Sequence, residues 1–126
     1  MKTRAEAPKA TISREVDLHG YHPHSVEGLI ASLIQQAWEM GASTLKLIHG
    51  WGKHSRDSIF PEFVHTNTGY LGLTVRHQLR SDLSTLRQWM YVKFDTSDPG
   101  VTVIRLRPNP FPTRTDFDEM PKRDFT

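Results

Sequence analysis

The chain has 126 residues, 37% of them hydrophobic and 24% charged, which is the length and composition of one soluble globular domain with a real core. Lys and Arg total 16 against 14 acidic residues, a net charge of +2, so bulk charge does not establish a polyanionic partner and the placement of charge must carry that argument. The absence of cysteine excludes disulfides, thiolate nucleophiles and Cys-ligated zinc.

No apolar run is long enough to span a bilayer or to act as a secretory h-region, so the expected location is cytoplasmic, with no membrane partner. Residues 1–13 are polar and of mixed charge and read as a flexible N-terminal arm ahead of a domain over 14–107. Glu15 to Gly20 predicts a first strand with Val16 and Leu18 on one face and Glu15, Asp17 and His19 on the other. An acid beside an imidazole makes a pair in which the carboxylate fixes the tautomer and raises the ring's basicity; the plainer alternative is that Asp17 caps a turn. Tyr21 to Ser25 then leads into a helix, with Pro23 suited to a first helical turn and Ser25 a candidate N-cap. Val26, Leu29, Ile30, Leu33, Ile34 and Ala37 give that helix one broad apolar face, and Gly41 stops it. His22 and His24 are either solvated loop histidines or companions of His19 toward a metal or phosphate.

Thr44 to His49 predicts a second strand, again ending in His-Gly. A strand, a helix and a second strand form a βαβ unit with parallel strands, so Asp17, His19 and His49 reach one edge of the sheet, where open α/β sheets bind ligands. Alternation nevertheless puts His49 on the face of Leu45 and Leu47, opposite to Asp17 and His19, if the apolar faces of both strands share the helix side. Beyond His49 the turn Gly50-Trp51-Gly52 allows close backbone approach and is a candidate anion nest, with Lys53, His54 and Arg56 adding charge. The alternative is a tight strand exit that needs glycine for steric reasons. Trp51 either packs on the domain or stacks on a base. The spacing is not that of a Walker P-loop, which has four residues between its glycines and Ser or Thr after Lys.

Val16-Asp17-Leu18-His19-Gly20 and His49-Gly50-Trp51-Gly52, in this order and with a helix between them, resemble the two signature motifs of the Smr (small MutS-related) domain family. The similarity runs from about Glu15 to about Leu106, as in a stand-alone single-domain member. The resemblance implies a fold similar to the C-terminal domain of the third bacterial initiation factor. It also implies nucleic-acid binding and, in several members, endonuclease or nicking activity. Residues 56–68 depart from the family pattern as an inserted loop carrying Phe60, Phe63 and Val64, and read as a lid or substrate-contacting loop.

Tyr70 to Arg80 predicts a second helix with Leu71, Val75 and Leu79 inward; Arg76 and Arg80 share another face, either a phosphate-tracking stripe or a solvated one. Gln88 to Asp95 and Val101 to Arg107 predict two strands joined at Asp98-Pro99-Gly100. A sheet face not covered by helices would present Lys46, Trp89, Tyr91, Lys93, Arg105 and Arg107, cations interleaved with aromatics as suits a splayed single strand. Residues 108–126 read as a Pro-rich C-terminal tail, anchored by Phe111 or Phe117.

The expected fold is therefore a two-layer α/β sandwich, β-α-β-α-β-β, with a mixed four-stranded sheet. The expected partner is nucleic acid, DNA or RNA, with endonuclease chemistry on its backbone. In that expectation Asp17, His19 and His49 are catalytic, the histidines as general acid and base with Asp17 orienting His19. Gly50, Trp51, Gly52, Lys53, His54, Arg56, Arg76 and Arg80 hold phosphate or polymer. No metal site is assigned; a divalent cation such as Mg2+ at Asp17 is the lesser option, and the lack of a carboxylate cluster argues against a two-metal nuclease. The alternatives are a non-catalytic RNA-, DNA- or ribosome-binding module and a small phosphate-ester hydrolase.

Overall fold

A computed structural model describes residues 12–50 and 69–123. The chain runs β1 (Ser13–Asp17), α1 (Pro23–Glu27), α2 (Ile30–Glu39), β2 (Thr44–Ile48), α3 (Tyr70–Ser81), α4 (Leu83–Leu86), β3 (Met90–Asp95) and β4 (Val101–Leu106). The strands form one mixed sheet in the order β1-β2-β4-β3, with β1 parallel to β2 and the other pairs antiparallel. Asp17 pairs with Ile48, and Ile48 pairs with Val101. The C-terminal ends of β1 and β2 and the start of β4 therefore meet at one edge.

Strand alternation builds the core on one side of this sheet. Val16, Leu18, Leu45, Leu47, Ile104 and Leu106 are buried against Val26, Ile30, Leu33 and Ile34 of the crossover helices and Val75, Leu79 and Leu86 of α3 and α4. Lys46 and Arg105 point to the side on which no described helix packs. Among the described residues no helix is long and apolar enough to cross a membrane.

Four local features differ from the expected elements. The first helix is two, because Gly28 caps α1 and the chain tightens there, with Leu29 N–H donating to Val26 O at 2.8 Å before α2 begins. Its N-cap is His22, not Ser25: the His22 ring accepts from the His24 N–H at 3.0 Å, with Pro23 at the first helical turn. The short helix α4 was not foreshadowed by periodicity. In β3 the pairing with β4 slips between Met90 and Phe94, so strict alternation fails, and Trp89, expected on the uncovered face, packs against the core. Gly41 does stop α2. With φ of 79°, it lets its N–H reach Trp38 O while Ala42 N–H reaches Ala37 O, a Schellman closure.

The tail after β4 folds back on the domain. Asn109 donates to Trp38 O at 2.8 Å, Pro112 lies over Gly41, and Arg114 bridges Glu39 at 2.9 Å and Asp118 at 2.8 Å. Phe117 and Met120 pack on the core cluster, whereas Phe111 is 81% exposed, so Phe117 is the anchor. Arg14 of β1 meets this stretch, pairing with Asp116 at 3.1 Å and lying over the Phe117 ring. The tail thus runs beside β1, the edge strand of the sheet.

A chain ending at Arg107 is expected to lose about 2 kcal/mol or more of stability, since one buried aromatic or Met side chain contributes about that much. Urea denaturation measures it; an unchanged midpoint would show that the tail only rests on the surface.

Candidate active site

At the end of β1 the chain makes a tight Asp17-x-His19 turn. Asp17 Oδ1 accepts from the His19 backbone N–H at 3.0 Å and lies 2.6 Å from His19 Nδ1. Both side chains are open to solvent, 46% for Asp17 and 63% for His19. Burial opposes ionisation of Asp17, but the His19 side-chain and backbone hydrogen bonds and the charges of His19 and Arg123 outweigh it and lower its pKa below the ordinary value. A carboxylate held at Nδ1 fixes that nitrogen as donor and so sets the tautomer of the ring. The turn continues through Gly20, at φ of 88°, to Tyr21, whose buried ring carries a hydroxyl that donates to Pro121 O at 2.5 Å.

His49 has a different setting. It follows β2 on the helix side, 5% exposed, with Nε2 at 2.9 Å from the hydroxyl of the fully buried Thr102. Arg76 of α3 donates from Nε to the same hydroxyl at 2.9 Å, and from Nη2 to Asp98 O at 2.7 Å and Val101 O at 3.0 Å. A guanidinium only donates, so Thr102 accepts from Arg76; a carbonyl only accepts, so the His49 Nδ1 that faces Gly50 O at 3.3 Å carries the ring hydrogen and Nε2 accepts from the Thr102 hydroxyl. The ring is then a neutral imidazole. Burial is the main reason the His49 pKa is lowered; the neighbouring Arg76 charge adds to this, while Gly50 O and Asp98 oppose it. The backbone N–H groups of His49 and Gly50 both donate to Gly100 O at 3.0 Å. These bonds fasten the end of β2 to the turn before β4.

The candidate residues therefore separate. Asp17 and His19 share the exposed strand end, while His49 lies behind the sheet, and no described contact joins it to them. Its ring is engaged inside the core, so it is not poised as a solvent-facing base. Arg76, expected on a phosphate-tracking face with Arg80, is 8% exposed and its pKa is lowered, first by burial and then by the Arg80 charge; its donors serve Thr102 and two carbonyls. Arg80 is exposed and lies over the Phe94 ring. The Gly50 amide is committed to Gly100, and Gly50 takes a φ of 84°, a conformation that favours glycine. Trp51, Gly52, Lys53, His54 and Arg56 lie outside the described residues, as does the 56–68 loop. His24 is strongly exposed, 3.6 Å from Glu27.

Thr102 and Tyr21 were not singled out from the sequence. Thr102 carried a signal, being the one polar side chain on a strand face otherwise made of Ile104 and Leu106. Among the described residues no three His, Asp or Glu side chains gather as a metal site. Asp17 and His19 offer two donors already bonded to each other, so the described residues do not form a ligand set for a resident ion.

The family model of the Smr domain matches residues 16–107, most of the chain and both strand-end motifs. The chain belongs to the Smr domain family. Among solved structures it is similar to the crystal structure of the Smr domain of Thermus thermophilus MutS2, with 27% identity, a TM-score of 0.52, and coverage of 75% of this chain and 99% of that one. No curated protein gives a significant match. The mixed α/β sheet is thus the Smr fold, and the tail after residue 107 lies beyond the matched Smr region.

Replacing Thr102 by Val leaves the Arg76 Nε–H and His49 without their shared partner and is expected to cost about 1–3 kcal/mol, while Thr102→Ser costs less. Unfolded His49 titrates near 6.5 and the folded residue lower, so the stability it contributes is complete above 6.5 and is lost as the pH falls from there toward the folded value. Urea midpoints should fall through that window and flatten in His49→Gln. An equally steep fall in the variant would assign the pH dependence elsewhere.

Proposed function

We propose that this Smr domain binds nucleic acid and cleaves its phosphodiester backbone, with the Asp17–His19 pair at the sheet edge performing the proton transfer. The observation that carries this reading is the exposed 2.6 Å contact between Asp17 Oδ1 and His19 Nδ1 at the C-terminal end of a parallel strand. His19 takes a proton at Nε2 from the attacking oxygen as it adds to phosphorus, and Asp17 stabilises the imidazolium that results. The same imidazolium then protonates the leaving oxygen. Membership of a family associated with nucleic-acid binding and nuclease activity supports the substrate class.

Because the Gly50 amide is used internally, phosphate contacts from the second motif fall in this proposal to the Trp51 and Gly52 amides and to Lys53, His54 and Arg56, which follow Gly50 in sequence. His49 is assigned a different task from the one expected: it braces the base of that loop. The exposed Tyr91, Lys93 and Arg105 on the sheet face where no described helix packs, with Arg107 over the Tyr91 ring at 4.8 Å, suit a polymer more than a mononucleotide.

Purified protein should cleave at least one of labelled single-stranded RNA, single-stranded DNA and supercoiled plasmid, and parallel reactions in EDTA read any metal requirement. Asp17→Asn keeps the shape and removes the charge, so cleavage should fall about a hundredfold, within the usual range for acid–base groups, with gel-shift affinity retained. Wild-type protein that shifts every substrate and cuts none would make the domain a binding module.

A further inference from the structure

The last described residue, Arg123, reaches the turn that carries Asp17 and His19. Its Nε donates to His19 O at 2.7 Å and its Nη2 to Asp17 O at 2.8 Å, while the guanidinium lies 5.0 Å from the centre of the Tyr21 ring. Tyr21 in turn holds the tail through its bond to Pro121 O. Strand geometry explains why these two carbonyls are available. Leu18 N–H donates to Ile48 O at 2.7 Å, so the alternate residues Asp17 and His19 aim their main-chain groups away from β2, toward the free edge of the sheet. A planar guanidinium is suited to bridging two such acceptors while stacking on an aromatic ring; an ammonium is not.

We propose that Arg123, supplied by the C-terminal tail from beyond the family-matched region, is a positioning residue that locks the Asp17-x-His19 turn. The latch rests on the catalytic reading above only for its effect on rate. Its structural role is independent of it: the guanidinium stands where the next strand's amides would stand and fixes the Asp17–Leu18 and His19–Gly20 peptide units. The Asp17 carboxylate and the His19 ring are borne on the α-carbons from which those two units start. Without the bridge the turn keeps its sequence and its core anchor, Leu18, but loses the restraint on the orientation of the pair. Arg123 also sets a positive charge beside Asp17, which favours the ionised carboxylate that the pair requires.

The test uses the full chain with Arg123→Ala and Arg123→Lys, reading amide hydrogen exchange of His19, steady-state cleavage and thermal melting. The His19 amide, which donates to Asp17 Oδ1, should exchange about tenfold faster or more in Arg123→Ala while core amides keep their protection. With cleavage, kcat should fall about tenfold or more at nearly unchanged KM, as expected when a reacting group loses its orientation. Melting should barely move, and Arg123→Lys should recover little. Wild-type exchange at His19 in Arg123→Ala overturns the latch whether or not the protein cleaves. A raised KM at unchanged kcat overturns it in favour of a substrate contact, and full recovery by Lys overturns it in favour of charge alone. A wild type that cuts nothing removes the proposed chemistry and leaves the exchange comparison to decide the latch.

Discussion

One buried hydroxyl ties together the edge of the sheet where the parallel strands end. Thr102 Oγ1 receives Arg76 from α3 and contacts His49 at the end of β2, while Arg76 also closes on the carbonyls of Asp98 and Val101. A buried guanidinium is tolerable only when its donors are satisfied, and losing a partner costs about 1–3 kcal/mol or more for a charged group. Three elements distant in sequence are therefore fixed relative to one another at the place where the parallel strands end. The end of β2 is thus a rigid base, and the Asp17–His19 turn sits beside it because β1 is hydrogen-bonded in register to β2.

The two His-Gly strand ends look alike in sequence and serve opposite faces of the sheet. His19 is exposed and paired with a carboxylate; His49 is buried and paired with a hydroxyl that a cation also grips. In the function proposed above the two imidazoles take different tasks, His19 exchanging a proton with the ligand and His49, whose pKa burial lowers, staying neutral and structural. The tail adds a third contribution. Running beside β1, it meets that edge strand through side chains and sets the Arg123 guanidinium on the turn.

Much of this was legible in the sequence. Alternation of Val16 with Leu18 and of Leu45 with Leu47 gave the core face, the Asp-x-His spacing placed both groups within one turn, and the same parity put His49 on the opposite side. The fold followed from the strand, helix, strand order together with the two motifs. What was not legible depends on contacts between distant residues. Arg76 reads as a solvated helical cation until Thr102 and the Asp98 turn are seen beneath it, although its place on the stripe of Val75 and Leu79 was a signal. The split between α1 and α2 turns on one glycine within a continuous apolar stripe. The docking of Phe117 rather than Phe111, and the reach of Arg123 to β1, come from tertiary packing that a Pro-rich composition does not encode.

The division of labour between the two histidines is tested most directly by single-turnover cleavage with His19→Ala and His49→Ala in parallel, each rate normalised to the folded fraction. The account predicts that His19→Ala melts like the wild type and loses cleavage, whereas His49→Ala melts at lower denaturant and cleaves in proportion to the protein still folded. Full cleavage by His19→Ala, or loss of cleavage in well-folded His49→Ala, would contradict it.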